Sequence, residues 1–352
     1  MILRRVSLHH FRNISSLVID VSPTLTIVVG ENAHGKTNIL EAVYCLVTGE
    51  GFRESKEEEL IQMGESSLQV DGLFVQNDVD RQFRIFIQKE NGGLASKTYF
   101  LEKARKSHKL YLLEQTKAVL FAPEQIEIIT GAPSLRRTYF DRVIGSFDYS
   151  YKVHISNYDQ ALRKRNKVLE QYRGGNIQEE LAFWDAYLVT EGSYLTKVRS
   201  DYINFLNGHP HLDGRLFEIE YVKNEFSLAR LSEKRELELR IHKTLIGPQK
   251  DEFIISLKDE KGEGKNIQTY GSRSEQRLGV FWLKMNEIHY MEKELHIRPI
   301  LLLDDVFSEF DHENKERILR LIQTYQTVMT TTEEELVREI EKKEKEIRVV
   351  HI

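Results

Sequence analysis

The chain has 352 residues, with 50 lysines and arginines against 55 aspartates and glutamates, so its formal net charge is −5. That balance excludes a uniformly basic nucleic-acid binder, and a single cysteine, Cys45, excludes a disulfide framework. The length allows one large or two medium domains. Because the sequence contains neither a secretory leader nor an apolar run of about 18 residues, we expect a soluble, cytoplasmic protein.

The first 130 residues are predicted to be rich in β-strands. Leu25–Val29 is short, apolar and β-branched, which is typical of a buried strand, and residues 38–47 carry apolar side chains at helical spacing. Residues 67–76 and 81–89 alternate between apolar and polar side chains on either side of a polar turn. This second pattern predicts a β-hairpin.

A phosphate-binding loop connects the Leu25–Val29 strand to the helix that follows it. The segment GENAHGKT matches the pattern G-x-x-x-x-G-K-[ST], so we expect Lys36 to reach the β- and γ-phosphates and the Thr37 hydroxyl to ligate Mg²⁺. Such a loop directs backbone N–H groups and the positive end of the helix dipole at an anion. We therefore predict a nucleoside triphosphate site rather than a purely structural glycine turn. The predicted binding residues here are Gly30, Glu31, Asn32, Ala33, His34, Gly35, Lys36, Thr37 and Asn38.

The middle of the chain changes to helical periodicity. Residues 134–206 follow a helical pattern that Gly-Gly-Asn at 174–176 divides into a predicted helical hairpin. Alternation typical of a strand returns at 216–222, and a charged helix is predicted at 232–242. These elements form a helical lobe between two strand-rich parts of the chain.

Positive charge is concentrated in two segments, with a net charge of +5 over residues 136–173 and +4 over residues 97–117. Segregated positive charge suits contact with the phosphate backbone of DNA. The alternative is a solvated helix face, since charge runs are usually surface features. The candidate DNA contacts are Arg136, Arg137, Arg163, Lys164 and Lys167.

Residues 271–277, with the sequence GSRSEQR, open another long helical pattern. Ser272 and Glu275 have the spacing of a capping box, which explains much of this segment structurally. The functional alternative is that this helix N-terminus, including Ser272, faces a nucleotide held by a second copy of the protein.

An apolar strand over residues 299–303 ends in two carboxylates, Asp304 and Asp305, the arrangement of a Walker B motif. Asp304 is expected to hold the hydration shell of Mg²⁺, and Asp305 to orient or activate the attacking water. Many buried strands end in Asp for structural reasons, but the phosphate loop favours the functional interpretation. Lys36 and Asp305 are thus the predicted catalytic residues.

The order of these elements resembles the RecF family of DNA repair ATPases, which are relatives of SMC and ABC-type heads. Any one of the short matches would be weak, but their order is specific and they extend from residue 8 to residue 311. The matching motifs are LHHFRN (8–13), GENAHGKTNILEAVY (30–44), FAPE (121–124), GAPSLRR (131–137), LRKRNKVL (162–169), GPQKD (247–251) and LLLDDVFSEFD (301–311).

The resemblance implies an α/β fold, an ABC-type P-loop ATPase head with a mixed sheet, and ATP with Mg²⁺ as cofactors. The head is expected at residues 1–130 and 231–352, with the helical lobe inserted at 131–230. It also implies a weak ATPase that uses hydrolysis as a switch, and an ATP-dependent homodimer on duplex DNA or on single-stranded/duplex junctions such as gaps. By the same likeness, the dimer would help to load other recombination-mediator proteins in replication, repair and the SOS response.

Two positions depart from the family's signature loop, which usually reads Ser-Arg-Gly-Gln-Gln. Ser274 replaces the Gly and Glu275 replaces the first Gln, and a carboxylate at 275 is expected to repel a γ-phosphate in the partner site. The alternative function is an ABC-type ATPase that acts on a protein partner, as in a defence or signalling complex, without binding DNA. An appended catalytic domain would favour this alternative. Residues 333–348 instead predict a charged helix, and residues 349–352 predict a short strand.

Overall fold

The structure is a computed structural model that describes residues 1–53, 56–90, 95–173, 177–212, 214–259, 262–308, 312–343 and 346–352. Its strands are β1 (Ile2–Phe11), β2 (Ile14–Asp20), β3 (Leu25–Val29), β4 (Ser67–Gln76), β5 (Val79–Lys89), β6 (Ala95–Leu101), β7 (Ala104–Lys106), β8 (Ala118–Phe121), β9 (His211–Leu212), β10 (Arg215–Val222), β11 (Glu252–Lys258), β12 (Gly264–Asn266), β13 (Ile300–Asp304), β14 (Thr327–Thr331) and β15 (Ile347–His351). Its α-helices are α1 (Lys36–Thr48), α2 (His108–Glu114), α3 (Glu127–Thr130), α4 (Pro133–Phe147), α5 (Tyr149–Gln171), α6 (Gln178–Asn207), α7 (Leu228–Ile241), α8 (Ile267–Tyr270), α9 (Arg273–Lys293), α10 (His312–Thr324) and α11 (Glu334–Lys343).

The chain divides into two compact units. Unit 1 consists of residues 1–124 and 291–352, and unit 2 consists of residues 125–290. The first division lies close to the boundary at 130 that the sequence predicts. Residues 231–290, which the sequence prediction assigns to the head, group with unit 2 because β11 pairs with β10 and α9 shares the core of that unit.

Unit 1 contains two sheets that share one hydrophobic core with α1. The parallel sheet has the strand order β15-β3-β14-β13-β8, and every residue of β3, β13 and β14 is buried. Strands buried on both faces are expected to be mostly apolar, and β3 and β13 are apolar apart from Thr26 and Asp304. Because all five strands run in the same direction, their carboxyl ends meet at one edge of the sheet.

The second sheet of unit 1 is antiparallel, in the order β2-β1-β4-β5-β6-β7. It contains the predicted hairpin, since β4 pairs with β5 up to the pair Gln76 and Val79. Asn77 and Asp78 both have positive φ angles, 52° and 60°, as a tight two-residue hairpin turn requires. The hairpin prediction is confirmed, with a turn shorter than the sequence indicates.

Unit 2 combines a helical part with the antiparallel sheet β12-β11-β10-β9. The predicted helical stretch over residues 134–206 is confirmed as the successive helices α4, α5 and α6, and the predicted strand at 216–222 corresponds to β10. Asp148 caps α5 by accepting a hydrogen bond from the N–H of Ser150. The predicted break at 174–176 lies outside the described residues. Among the helices described, none is long and apolar enough to cross a membrane.

A buried arginine links three helices of unit 2. Arg165 of α5 is fully buried and donates to Asp185 of α6 (2.7 Å), to Glu238 of α7 (2.6 Å) and to the Thr244 hydroxyl (2.7 Å). Breaking a buried ion pair costs far more than its formation contributes, because a partner charge is left uncompensated. The side chain of Arg165 therefore fixes the packing of α5, α6 and α7.

We expect Arg165→Met to lower the free energy of unfolding by about 3–5 kcal/mol, because Asp185 and Glu238 then lose a common counter-charge in the interior. Both tryptophans, Trp184 and Trp282, belong to unit 2, so fluorescence during urea unfolding reports on this change. Arg163→Met, on an exposed neighbouring position, is the control and should change stability by no more than about 0.5 kcal/mol. Equal unfolding midpoints for the two variants would contradict the structural role.

Candidate nucleotide site

The phosphate loop leaves the carboxyl end of β3 and enters α1 without a side-chain cap. Gly35 adopts a left-handed conformation with φ of 98°, and a Cβ there would approach Asn13 Oδ1 to 2.9 Å. Glycine is thus required at this position. The first turn of α1 contains no acidic residue, so its N-terminal N–H groups keep their positive field. Of the predicted binding residues, Glu31, Asn32, Ala33 and His34 are exposed, Gly30, Thr37 and Asn38 are half-buried, and Gly35 and Lys36 are buried.

Lys36 is enclosed by the loop that precedes it. Its Nζ donates hydrogen bonds to the carbonyl oxygens of Gly30 and Glu31, each at 2.8 Å, and the residue is only 7% exposed. A cation held among backbone carbonyls beside a helix N-terminus creates a concentrated positive field. That field suits a polyphosphate.

Asp304 joins the phosphate loop to the parallel sheet. One carboxylate oxygen, Oδ1, accepts hydrogen bonds from the hydroxyls of Thr37 (2.9 Å) and Thr330 (2.7 Å). The strand order explains this meeting, because β14 lies between β3 and β13 and Thr330 pairs in register with Asp304. Burial raises the pKa of Asp304, although the hydrogen bonds from Thr330 and Thr37 oppose this effect.

These oxygens fit a magnesium ion of the kind that nucleotides bring. Thr37 and Asp304 supply a hydroxyl and a carboxylate at hydrogen-bond distance from each other, and Mg²⁺ prefers such hard oxygen ligands. Within the described ranges, no group of three or more His, Cys, Asp or Glu side chains could hold a metal by itself. The protein alone therefore offers only part of a coordination shell, which phosphate oxygens and water would complete.

Asp305 follows directly and has an unusual backbone conformation. Its φ is 47°, and its N–H donates to the Thr330 hydroxyl at 3.0 Å. Burial and, after it, the neighbouring charge of Asp304 raise the pKa of Asp305. A carboxylate with a raised pKa is a better proton acceptor than an exposed one, which suits a general base.

A cluster of charged residues around the start of α1 is not predicted by the sequence analysis. Glu41 is fully buried and accepts from Arg12 (2.9 and 3.1 Å) and from the guanidinium (2.8 Å) and N–H (3.0 Å) of Arg53. Burial would raise the pKa of Glu41, but the hydrogen bonds from Arg12 and Arg53 outweigh it and hold the pKa below its usual value. The signal in the sequence is a lone carboxylate among the apolar residues of α1.

The same cluster reaches Asn38, a predicted binding residue. Asn38 donates to Asn13 Oδ1 at 2.6 Å and accepts from Arg53. Arg12 and Asn13 belong to the LHHFRN motif, so this motif contacts the helix that follows the phosphate loop. Two arginines are thereby positioned beside the nucleotide site.

The Ser272 segment lies in unit 2 and forms the predicted capping box. The N–H of Ser272 donates to Glu275 Oε2 (2.7 Å), and the N–H of Glu275 donates to Ser272 Oγ (3.3 Å). The structural interpretation of this segment is confirmed.

The candidate DNA contacts separate into buried and exposed residues. Arg163, Lys164 and Lys167 are exposed on α5. Arg136 is 3% exposed and donates twice to Glu252, at 2.8 and 3.1 Å, so its prediction as a DNA contact is wrong. Its charge is already neutralised inside unit 2. Arg137 is half-buried and donates to the carbonyl oxygen of Asp251 at 2.8 Å.

The fold and the site together define an ABC-type P-loop ATPase head. Residues 2–351 match the family described as RecF/RecN/SMC N terminal domain, and the chain belongs to this family. The DNA replication and repair protein RecF of Agathobacter rectalis is 31% identical over 345 residues, which cover 94% of this chain and 92% of that protein. The protein of the same name from Acetivibrio thermocellus is 33% identical over 359 residues, with 96% and 94% covered.

A solved structure supports the same assignment. The recombination mediator protein RecF bound to ATP, from the RecFOR pathway, matches with a TM-score of 0.84 at 28% identity and covers 94% of this chain and 92% of that one. The predicted family and fold class are confirmed.

We expect Thr330→Val to lower the rate constant of ATP hydrolysis by at least about tenfold, because it removes the hydrogen bond donated to Asp304 Oδ1 and the one accepted from the N–H of Asp305. Nucleotide affinity should change little, since Lys36 and the loop are untouched. Steady-state kinetics across Mg²⁺ concentrations, together with titration of a fluorescent ATP analogue, measures both quantities. Thr330→Ser should retain activity.

Thr327→Val is the matched control, because Thr327 is buried on the same strand and donates to the carbonyl oxygen of Tyr325 away from the carboxylates. If Thr327→Val and Thr330→Val reduced hydrolysis equally, Thr330 would act only through the stability of β14.

Proposed function

We propose that this protein is an ATP-dependent DNA-binding protein of the RecF type that acts in DNA replication and recombinational repair. The observation that carries the proposal is the joining of the phosphate loop to the Asp pair through Thr37 and Asp304, at 2.9 Å, in a member of this family. The names of the relatives, DNA replication and repair protein RecF, support the pathway. Such a protein would act in the cytoplasm.

In this proposal ATP binds to unit 1 with its phosphates in the loop over residues 30–37. The loop N–H groups and Lys36 would bind the phosphate oxygens, while Thr37 and Asp304 would hold a Mg²⁺ ion, which would neutralise phosphate charge. Asp305 accepts a proton from the water that attacks the γ-phosphate in line, and ADP and phosphate are the products. In this proposal hydrolysis is slow and serves as a switch.

The second half of the site would come from another copy of the chain. In a twofold dimer each copy presents the N-terminus of α9, with Ser272, to the nucleotide of its partner, so ATP binding favours the dimer. Hydrolysis removes the γ-phosphate and releases the pair. The structural relative RecF is bound to ATP, which supports ATP as the nucleotide in this scheme.

DNA would be held by the exposed face of α5. Arg163 and Lys167 are four residues apart and share that face, so both reach neighbouring phosphates, whereas Lys164 points to one side. We infer that the dimer binds duplex DNA or single-stranded/duplex junctions and helps to load other recombination-mediator proteins. The RecFOR pathway in the name of the structural relative supports such partners.

We expect Asp305→Asn to bind ATP with nearly unchanged affinity but to hydrolyse it at least about a hundredfold more slowly, because the base is lost while the shape remains. Sedimentation velocity under saturating ATP should then show an accumulated dimer. Lys36→Ala is the control and should neither bind ATP nor dimerise, since the cation for the phosphates is gone. Hydrolysis by Asp305→Asn at the wild-type rate would show that Asp305 is not the base.

We expect the triple variant R163E/K164E/K167E to bind DNA more weakly by a similar factor for all sequences, because phosphate contacts carry no base information. Each lost phosphate contact should also reduce the slope of log affinity against log salt by about 0.9 on duplex DNA. Fluorescence anisotropy with duplex and gapped DNA over a salt series measures both quantities. ATP affinity should remain at the wild-type value.

The control for this experiment is K234E/R240E/K243E, which changes the total charge equally at exposed positions of α7 and the loop after it. Equal losses for the two triple variants would show a general charge effect. Unchanged affinity and salt slope in R163E/K164E/K167E would instead favour an ATPase that acts on a protein partner.

A further inference from the structure

An ion pair holds the unusual carboxylate of the signature segment. Lys265 Nζ of β12 lies 2.6 Å from Glu275 Oε1 of α9. The other oxygen of Glu275, Oε2, accepts the N–H of Ser272 at 2.7 Å. Both oxygens of the carboxylate are thus engaged, one by a cation and one by the backbone at the start of the helix.

The backbone on both sides of this ion pair is fixed. Lys265 pairs with Leu257 of β11, and the next residue, Asn266, caps α8 by accepting the N–H of Gln268 at 2.9 Å. On α9, buried Gln276 donates to the carbonyl oxygen of Ile267 at 3.1 Å. Strand β12, helix α8 and the first turn of α9 therefore form one connected segment that holds the two side chains in contact.

The charge of Glu275 opposes the function proposed for this helix end. A carboxylate in the first turn is favourable to the helix itself, since it interacts with the positive end of the dipole. It also cancels the field that would attract a phosphate and repels an anion nearby. The hydrogen bond from Lys265 lowers the pKa of Glu275, so the carboxylate stays ionised and only a counter-charge can neutralise it.

We propose that Lys265 is a positioning residue that neutralises Glu275, so that the N-terminus of α9 accepts the γ-phosphate of a nucleotide bound to a second copy. The inference rests on the proposed function, because it requires an ATP-dependent dimer. It identifies Lys265 as the counter-charge of Glu275, whose carboxylate the sequence alone predicts to repel the γ-phosphate. Lys265 acts through Glu275 and does not need to touch the nucleotide.

The pair is suited to a test by mutation because both side chains are partly exposed, and Glu275→Gln keeps a side-chain oxygen for the helix cap. Its side chains are 42% and 18% exposed, and ion pairs at such positions contribute little to stability. A change in dimerisation after mutation therefore reports on the charge presented at the helix end. The matched control is Lys258→Met, which removes another ion pair of the same sheet, Lys258 with Glu218 at 2.9 Å.

The experiment is a double-mutant cycle with Lys265→Met, Glu275→Gln and the combined variant, each in the Asp305→Asn background. Sedimentation equilibrium under saturating ATP gives the dimer dissociation constant. We expect Lys265→Met to raise it by at least about tenfold, because an uncompensated carboxylate faces a phosphate at both sites of the twofold dimer. Glu275→Gln and the combined variant should both dimerise like the parent, because without the carboxylate Lys265 is dispensable.

Two further measurements separate charge from structure. Lys265→Arg should restore the dimer, since the guanidinium also neutralises Glu275. The defect of Lys265→Met should shrink as salt rises from 0.05 to 0.5 M in the assay, because partly exposed charges are screened, whereas a misfolded helix end would not recover. The affinity of each monomer for a fluorescent ATP analogue, together with its thermal unfolding, should match the parent.

The possible failures are distinguishable. Dimerisation of Lys265→Met like the parent, or an equal loss when Glu275 is already Gln, overturns the inference and leaves the ATP-dependent dimer in place. Parent and Glu275→Gln proteins that both bind ATP yet remain monomeric overturn the dimer of the proposed function and the inference with it. A loss in Lys258→Met equal to that in Lys265→Met assigns the effect to the sheet and also overturns the inference.

Discussion

The Asp304 carboxylate is the constraint on which the nucleotide site depends. Its Oδ1 accepts two hydrogen bonds, one from the hydroxyl of Thr37 at the start of α1 and one from the hydroxyl of Thr330 on β14. The two contacts fix the first turn of α1 against the carboxyl edge of the parallel sheet. Because Asp305 also donates its N–H to Thr330, the geometry of the second carboxylate depends on the same hydroxyl. An error in the pairing of β13 with β14 would therefore disturb the carboxylates of Asp304 and Asp305 together.

Each unit contains a buried charge that is paired with two oppositely charged side chains. In unit 1, Glu41 is enclosed by Arg12 and Arg53, and in unit 2, Arg199 contacts Asp141 at 2.8 Å and Asp251 at 2.7 Å. Glu41 and Arg199 each have oppositely charged partners and further hydrogen bonds, which is the condition under which buried ions are tolerated. Basic residues with interior partners are consequently unavailable for DNA.

This difference between buried and exposed side chains explains why net charge alone could not identify which basic residues of the segment remain at the surface. Arg163, Arg165 and Lys167 are close neighbours on α5, and net charge treats them alike. Helical geometry separates them, because Arg165 turns into unit 2 while the other two remain exposed. The partners of Arg165 come from α6 and α7, so no local pattern reveals them. Arg136 fails as a DNA contact for the same reason, since its partner Glu252 lies 116 residues away.

The phosphate loop, the Asp pair and the hairpin over β4 and β5 could be predicted because each depends on short-range chemistry. A glycine that needs a left-handed conformation, a strand that ends in carboxylates and a two-residue turn are all visible within a few residues. Thr330 could not be predicted as a partner of Asp304, because the contact follows from β14 lying between β3 and β13. Strand order is a property of the assembled sheet. The assignment of residues 231–290 to unit 2 likewise reflects long-range contacts, namely the pairing of β10 with β11 and the packing of α9 in the core of that unit.

Glu275 shows how an electrostatic argument changes once long-range partners are known. From the sequence its charge is isolated and opposes a phosphate, and its spacing to Ser272 explains only the helix cap. In the structure the same carboxylate lies between a backbone N–H and the ammonium group of Lys265. The pair has no net charge, so the field at the start of α9 is again dominated by the helix dipole. A substitution that is unfavourable by itself is therefore compatible with the family's function when a strand ten residues earlier supplies the counter-charge.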